Sequence, residues 1–143
     1  MAEEKKVEKK IGLYICKGCG IADSIDIEKL AKASKSAAIQ EENIKTHEIL
    51  CSPEGIKLIK NDMKKDGINT VIVAACSPRV KYDEFDIPGT VVVRANIREF
   101  VAWTMEPKSE EAQVAAEDYV TLGRVRAQKE ELPEPFQQSI MFC

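Results

Sequence analysis

TVIVAACSPRV, residues 70–80, is a run of β-branched and small apolar residues that stops at Cys76-Ser77-Pro78. A strand with one face in water alternates apolar and polar side chains, whereas a strand covered on both faces does not. Residues 70–75 show no such alternation, so they predict a central strand of a parallel sheet with helices packed on each side. Upstream, IGLYIC at residues 11–16 is a second short apolar run, and it ends in the turn Lys17-Gly18-Cys19-Gly20. HEIL at residues 47–50, with a start as early as Ile44, is the weakest strand of the set and leads into Cys51-Ser52-Pro53. Downstream, Pro88-Gly89 marks a turn before TVVVR at residues 90–94, the fourth strand.

Helical spacing fills the gaps. Ile27, Leu30 and Ala31 recur on one face, with Asp23 or Ser24 as N-cap and an end near Ala38. Ser52 followed by Pro53 opens the next helix, since the hydroxyl accepts a free backbone N–H and proline has none to leave unpaired. Ile56, Ile59 and Met63 give its apolar face, and Gly67 closes it. Residues 96–103 begin a further helical stretch. A long helix spans residues 110–129, with Val114, Tyr119, Val120, Leu122 and Val125 as its expected apolar side. The alternation of strands and helices predicts an α/β fold: an open parallel sheet of about four strands in a three-layer, Rossmann- or flavodoxin-like arrangement. A disordered leader (1–10), one domain (11–130) and an extended tail after Pro133 and Pro135 (131–143) complete the expectation.

Composition narrows the function. The chain has 143 residues, 44% of them hydrophobic, with a formal charge of −3 and acidic and basic residues intermixed. That suits one soluble core and gives no footing for a nucleic-acid partner. No apolar run reaches the ~20 residues that span a bilayer, and the charged first ten residues are no signal peptide. A cytoplasmic place is expected, where thiols stay reduced, so five cysteines point to metal or redox chemistry more than to a disulfide framework.

The cysteine positions sharpen this. On this layout Cys16 ends the first strand, Cys51 the second and Cys76 the third, with Cys19 added by the turn. Carboxyl ends of parallel strands share one edge, which is where ligands bind. Cys16, Cys19, Cys51 and Cys76 are therefore candidate metal ligands, and the C-x-x-C spacing suits two ligands on one centre. Ser52-Pro53 and Ser77-Pro78 repeat the same device after two of the strands. Buried core cysteines, a zinc site and a thioredoxin-like dithiol are the rival readings. Gly18-Cys19-Gly20 is no dinucleotide fingerprint, because Asp23 stands where a third glycine would be. His47 is expected to serve as a strand-face or hydrogen-bonding residue, and Trp103 to pack in the core or an interface. Arg79, Arg94, Asn96 and Arg98 cluster near the ends of strands three and four. All four could contact an anionic cofactor or partner, Arg79, Asn96 and Arg98 being the ones chosen as candidate cofactor-binding residues, with a structural salt-bridge role as the competing use.

The segments IGLYICKGCGIADSIDIEKL (11–30), CSPEGIKLIKNDMKKDGINTVIVAACSPRV (51–80), RANIREFVAWTMEP (94–107) and AEDYVTLGRVRAQKEELPEPF (116–136) resemble the N-terminal domain of the heterodisulfide reductase A-subunit family, including its quinone-linked branch. The resemblance implies an electron-transfer domain of an oxidoreductase complex, working with flavin and iron–sulfur partner subunits, not catalytic by itself and associated with a membrane only through a complex. It implies Cys16, Cys19, Cys51 and Cys76 as ligands of a [4Fe–4S] cluster. Relatives continue into a flavin-binding region that opens with a glycine-rich loop. This sequence carries no such loop, so FAD is expected only through a partner or a further domain. Cys143 is read as incidental. A cofactor-free docking domain with structural or redox-sensing thiols is the alternative.

Overall fold

The computed structural model describes residues 8–132; the expectations for residues 1–7 and 133–143, Cys143 among them, lie outside the described residues. Four parallel strands form one sheet in the order β2-β1-β3-β4. They are β1 (Ile11–Cys16), β2 (Ile44–His47), β3 (Thr70–Ala75) and β4 (Val91–Asn96). Every residue of β1 and β3 is buried, as their unbroken apolar runs require. The predicted α/β class and open parallel sheet are what the chain adopts.

The helices are α1 (Ile21–Ser24), α2 (Ile27–Ser34), α3 (Pro53–Asp66) and α4 (Glu110–Lys129). In a sheet of order 2-1-3-4 the crossovers from β1 to β2 and from β2 to β3 run in opposite directions. Right-handed connection then places α2 and α3 on opposite faces. Gly123 of α4 lies over Ile72, Val93 and Ala95, and α4 packs beside α2, so these residues mark one face. Tyr14 and Asp62 of α3, bonded to each other, mark the other. Ser52 caps α3 as expected, accepting from Gly55 N at 3.2 Å, with Pro53 in the first turn and Gly67 at the end.

Several boundaries differ from the sequence reading. The helix expected from an N-cap at Asp23 or Ser24 to Ala38 is shorter at both ends, and a separate helical turn, α1, precedes the second helix. Asp26, not Asp23 or Ser24, caps the second by accepting from Lys29 N, and α2 stops at Ser34 because Ser36 and Ile39 bond each other's backbone in a turn. β2 is shifted back, from 47–50 to Ile44–His47. His47 Nδ1 then accepts from Ile49 N at 3.0 Å and Ser52 N bonds Ile49 O, so residues 48–52 form turns and not a strand. β4 runs two residues past Arg94.

The expected apolar side of α4 is also corrected. Val114, Leu122 and Val125 are exposed, and the buried side is Ala112, Ala116, Val120, Gly123 and Ala127. A Cβ at Gly123 would lie 3.4 Å from Ile72 Cγ2, so the helix sits close to the sheet and small residues are the ones that fit beneath it. Among the described residues no helix is long and apolar enough to cross a membrane.

Candidate functional site

Strand order reverses direction between β1 and β3, and their carboxyl ends open the crevice where open α/β sheets take ligands. Cys16 is the last residue of β1 and Cys76 follows β3 directly, with Ile15 in register with Ala74. Both thiols are buried. Cys16 Sγ lies 3.9 Å from Glu48 O, in the turn leaving β2. Gly18 brings that turn and the C-x-x-C loop together: a Cβ there would stand 2.6 Å from Glu48 O. Cys19 is exposed at the loop tip, with φ at 55°. Cys51 does not end a strand, as expected, but lies four residues beyond His47, half-buried in the approach to α3.

Two guanidinium groups stand at this edge, and one of them contacts a thiol. Arg94 Nη2 lies 3.0 Å from Cys76 Sγ and within 3.2 Å of the carbonyls of Cys76, Ser77 and Val80. Its Cζ lies 4.4 Å from the centre of the Phe85 ring. Burial pushes the Cys76 thiol up from its ordinary range. Arg94 and Arg98 pull it the other way, and Cys51 is near enough to add to the rise. Arg98 lies with Cζ 4.5 Å from the centre of the Trp103 ring and pairs with Glu99 at 2.9 Å. Burial disfavours its charge, but the bond to Glu99 and the nearness of Cys19 outweigh that and raise its pKa, with Cys76 helping. The Nε atoms of both arginines are buried without a hydrogen-bond partner.

The other nominated residues divide. Asn96 is buried, and its Oδ1 accepts from Glu99 N at 3.0 Å, which ties the end of β4 to the π-helical turn Arg98–Ala102. Arg79 is exposed beyond Cys76, its backbone N–H bonded to Ser77 Oγ. Of the two places expected for Trp103, core or interface, the core is excluded: the ring is exposed and covered on one side by Arg98. Arg94, named in the sequence cluster but not among its chosen candidates, is the residue that contacts a thiol. Its signal is a charge interrupting VVVRAN, a strand that otherwise reads apolar up to its end.

The donor set of four thiols and the two unpartnered guanidinium nitrogens fit an anionic centre in chemical character. The geometry fits less well, because among the described residues no three Cys, His, Asp or Glu side chains converge as metal ligands. The thiol in contact with a guanidinium is Cys76, through Arg94. Cys16 and Cys76 are set by the sheet, while Cys19 and Cys51 are set by loops.

Relatives share this arrangement of sequence over nearly the whole chain. The A subunit of H(2):CoB-CoM heterodisulfide,ferredoxin reductase from Methanothermobacter marburgensis is 36% identical over 153 residues, covering 97% of this chain and 22% of that protein. The chain is homologous to part of the heterodisulfide reductase A subunit. A CoB--CoM heterodisulfide reductase iron–sulfur A subunit from Methanopyrus kandleri is 31% identical, over 89% of this chain and 20% of that protein. A protein from Archaeoglobus profundus, described as like the heterodisulfide reductase A subunit, is 32% identical, over 89% and 19%. The chain thus spans about a fifth of the length of these relatives. No family model matches it.

Proposed function

We propose that this chain is an electron-transfer module of a heterodisulfide-reductase-like oxidoreductase complex, with Cys16, Cys19, Cys51 and Cys76 as the thiolates that hold an iron–sulfur centre, a [4Fe–4S] cluster by ligand number. The observation that carries the reading is an edge thiol facing a half-buried cation: Arg94 Nη2 lies 3.0 Å from Cys76 Sγ. Buried charge is costly unless it meets an opposite charge, and a thiolate-ligated cluster would supply one. Cys19 and Cys51, being on loops, would have to close on Cys16 and Cys76. The partners in this reading are flavin- and iron–sulfur-bearing subunits, which would also supply any FAD. The finer placement is with the B subunit of the quinone-interacting membrane-bound oxidoreductase complex of anaerobic sulfate reducers, through the residue strings CSPR (76–79) and ANIRE (95–99).

Anaerobic purification followed by iron and acid-labile sulfide analysis tests the proposal. About four of each per chain are expected for a [4Fe–4S] cluster. A folded chain that stays free of metal, with all its thiols reactive after reconstitution, overturns it. That outcome would favour a cofactor-free docking domain with redox-sensing or structural thiols, a reading that the lack of three converging donors among the described residues supports. One zinc per chain would mark a structural site instead.

A further inference from the structure

Arg94 is the one charged side chain in β4, and its whole reach is spent on the segment just after β3. Its register partner is Val73, on the face that also carries Tyr14, so its guanidinium rises along that face toward the carboxyl edge. There one nitrogen faces the Cys76 sulfur and three carbonyls between residues 76 and 80. An Nη carries only two hydrogens, so those four acceptors share two donors at any moment. Phe85 covers the guanidinium, and Nε has no partner at all. A cation needed only to tie down a loop would be satisfied by carbonyls; here it also meets a thiol at 3.0 Å and keeps a buried donor in reserve.

We propose that Arg94 is the positioning residue of the thiol edge: it holds segment 76–80 against β4 and presents the Cys76 sulfur already hydrogen-bonded to a cation. Two consequences follow, and only the second rests on the proposed cluster. In the metal-free chain, Arg94 is what keeps Cys76 closed to solvent. In the loaded chain, an N–H···S bond and a positive charge beside a ligand sulfur favour the more reduced, more negative state of the centre, and so raise its potential.

The metal-free chain is alkylated under reducing conditions with iodoacetamide over a series of pH values, and the limiting rate at which each cysteine reacts as thiolate is followed by mass spectrometry. The rise in the Cys76 pKa on losing the Arg94 charge is thereby separated from a change in access. Arg94→Met, which keeps an unbranched stem under Phe85, is expected to speed alkylation of Cys76 about tenfold or more as the segment opens. Cys16 and Cys19 should keep their rates. Arg94→Lys, which returns the charge without the fork, should fall between, and it serves as the test if the methionine variant does not fold. An unchanged Cys76 rate in a folded variant overturns the proposal, and so does an equal gain at all the thiols, which would mean general loosening. In iron-loaded protein the midpoint potential of Arg94→Met should move in the negative direction. A loaded centre whose potential ignores the substitution also overturns it. A chain that takes up no iron refutes the cluster reading, and Arg94 is then judged on the alkylation rates alone.

Discussion

Replacing Tyr14 by phenylalanine removes one hydroxyl from the centre of the sheet and tests what braces the thiol edge. The Tyr14 hydroxyl donates to Asp62 Oδ2 at 2.8 Å, and Lys45 Nζ donates to Asp62 Oδ1 at 2.7 Å. These bonds join β1, α3 and β2, the elements that lead to Cys16 and flank Cys51. Tyr14 is wholly buried and Asp62 nearly so, while a third of Lys45 is exposed. A buried hydrogen bond to a charged acceptor is worth about 1.5–3 kcal/mol, and the half-solvated ion pair about 1 kcal/mol or less. Phenylalanine keeps the ring and leaves no large cavity, so Tyr14→Phe should cost about 2 kcal/mol in urea unfolding at neutral pH. With Asp62→Leu as the second change, the double variant should be more stable than the sum of the singles by about 1.5 kcal/mol, because it leaves neither group unpaired. The pH dependence has a definite sign. Burial first, then the Asp62 bond and charge, hold the Tyr14 pKa above its ordinary value. The folded chain keeps a proton that the unfolded chain releases above about pH 10. Stability from this group is therefore complete below about pH 10 and declines as pH rises beyond it. The gap between parent and Tyr14→Phe should narrow in that range. A loss under about 0.5 kcal/mol, or a gap that stays constant through about pH 11, refutes the brace.

Gly123→Ala should be neutral or stabilising by about 0.5–1 kcal/mol, since its Cβ would make ordinary contact with Ile72 and alanine favours the helix; Gly123→Leu should lose about 1–3 kcal/mol in thermal unfolding. Gly18→Ala must displace the Glu48 carbonyl from the C-x-x-C loop, so alkylation of Cys16 should accelerate while that of Cys76 stays unchanged, and equal rates at both would refute the contact. Trp103 is the chain's one tryptophan, so emission typical of a solvent-exposed indole is expected, and Trp103→Ala should cost only about 0.5–1 kcal/mol through the lost Arg98 stacking; a larger loss would mean the ring is packed.

Residues 70–75 and 11–16 were legible because a strand buried on both faces is constrained at every position, and both strands carry the residues expected there. α3 was legible because Ser52, Pro53 and Gly67 each satisfy a definite backbone need. β2 was misplaced for the converse reason. It lies at the sheet edge with every residue half-buried, so IKTH carries polar side chains and the more apolar HEIL looked better. α4 misled through its large residues: the close approach at Gly123 selects alanine and glycine for the buried side, and a hydrophobicity pattern reads those as weak. For the site, strand geometry correctly brought Cys16 and Cys76 to one edge. It could not place Cys51 once the strand before it had shifted, nor give the contacts of an exposed Cys19.

Arg94 shows most clearly where local rules and the site part company. A strand reading VVV next to a buried neighbour has every reason to continue with an apolar residue, and Ala95 and Ile97 do. An arginine at position 94 gives up that burial and carries the desolvation cost of a cation, which lowers its pKa from the ordinary value. Carbonyls of residues 76, 77 and 80 repay part of this, yet a neutral donor could have bonded them at less cost. A neutral donor also favours negative charge on sulfur, but a cation adds the attraction of a full opposite charge. The Cys76 sulfur, 3.0 Å from Arg94 Nη2, is the group whose charged state gains from the choice. Departures from local preference concentrate where function outweighs stability. At position 94 the departure is aimed at Cys76, where the guanidinium offsets part of the cost that burial sets on a charged sulfur.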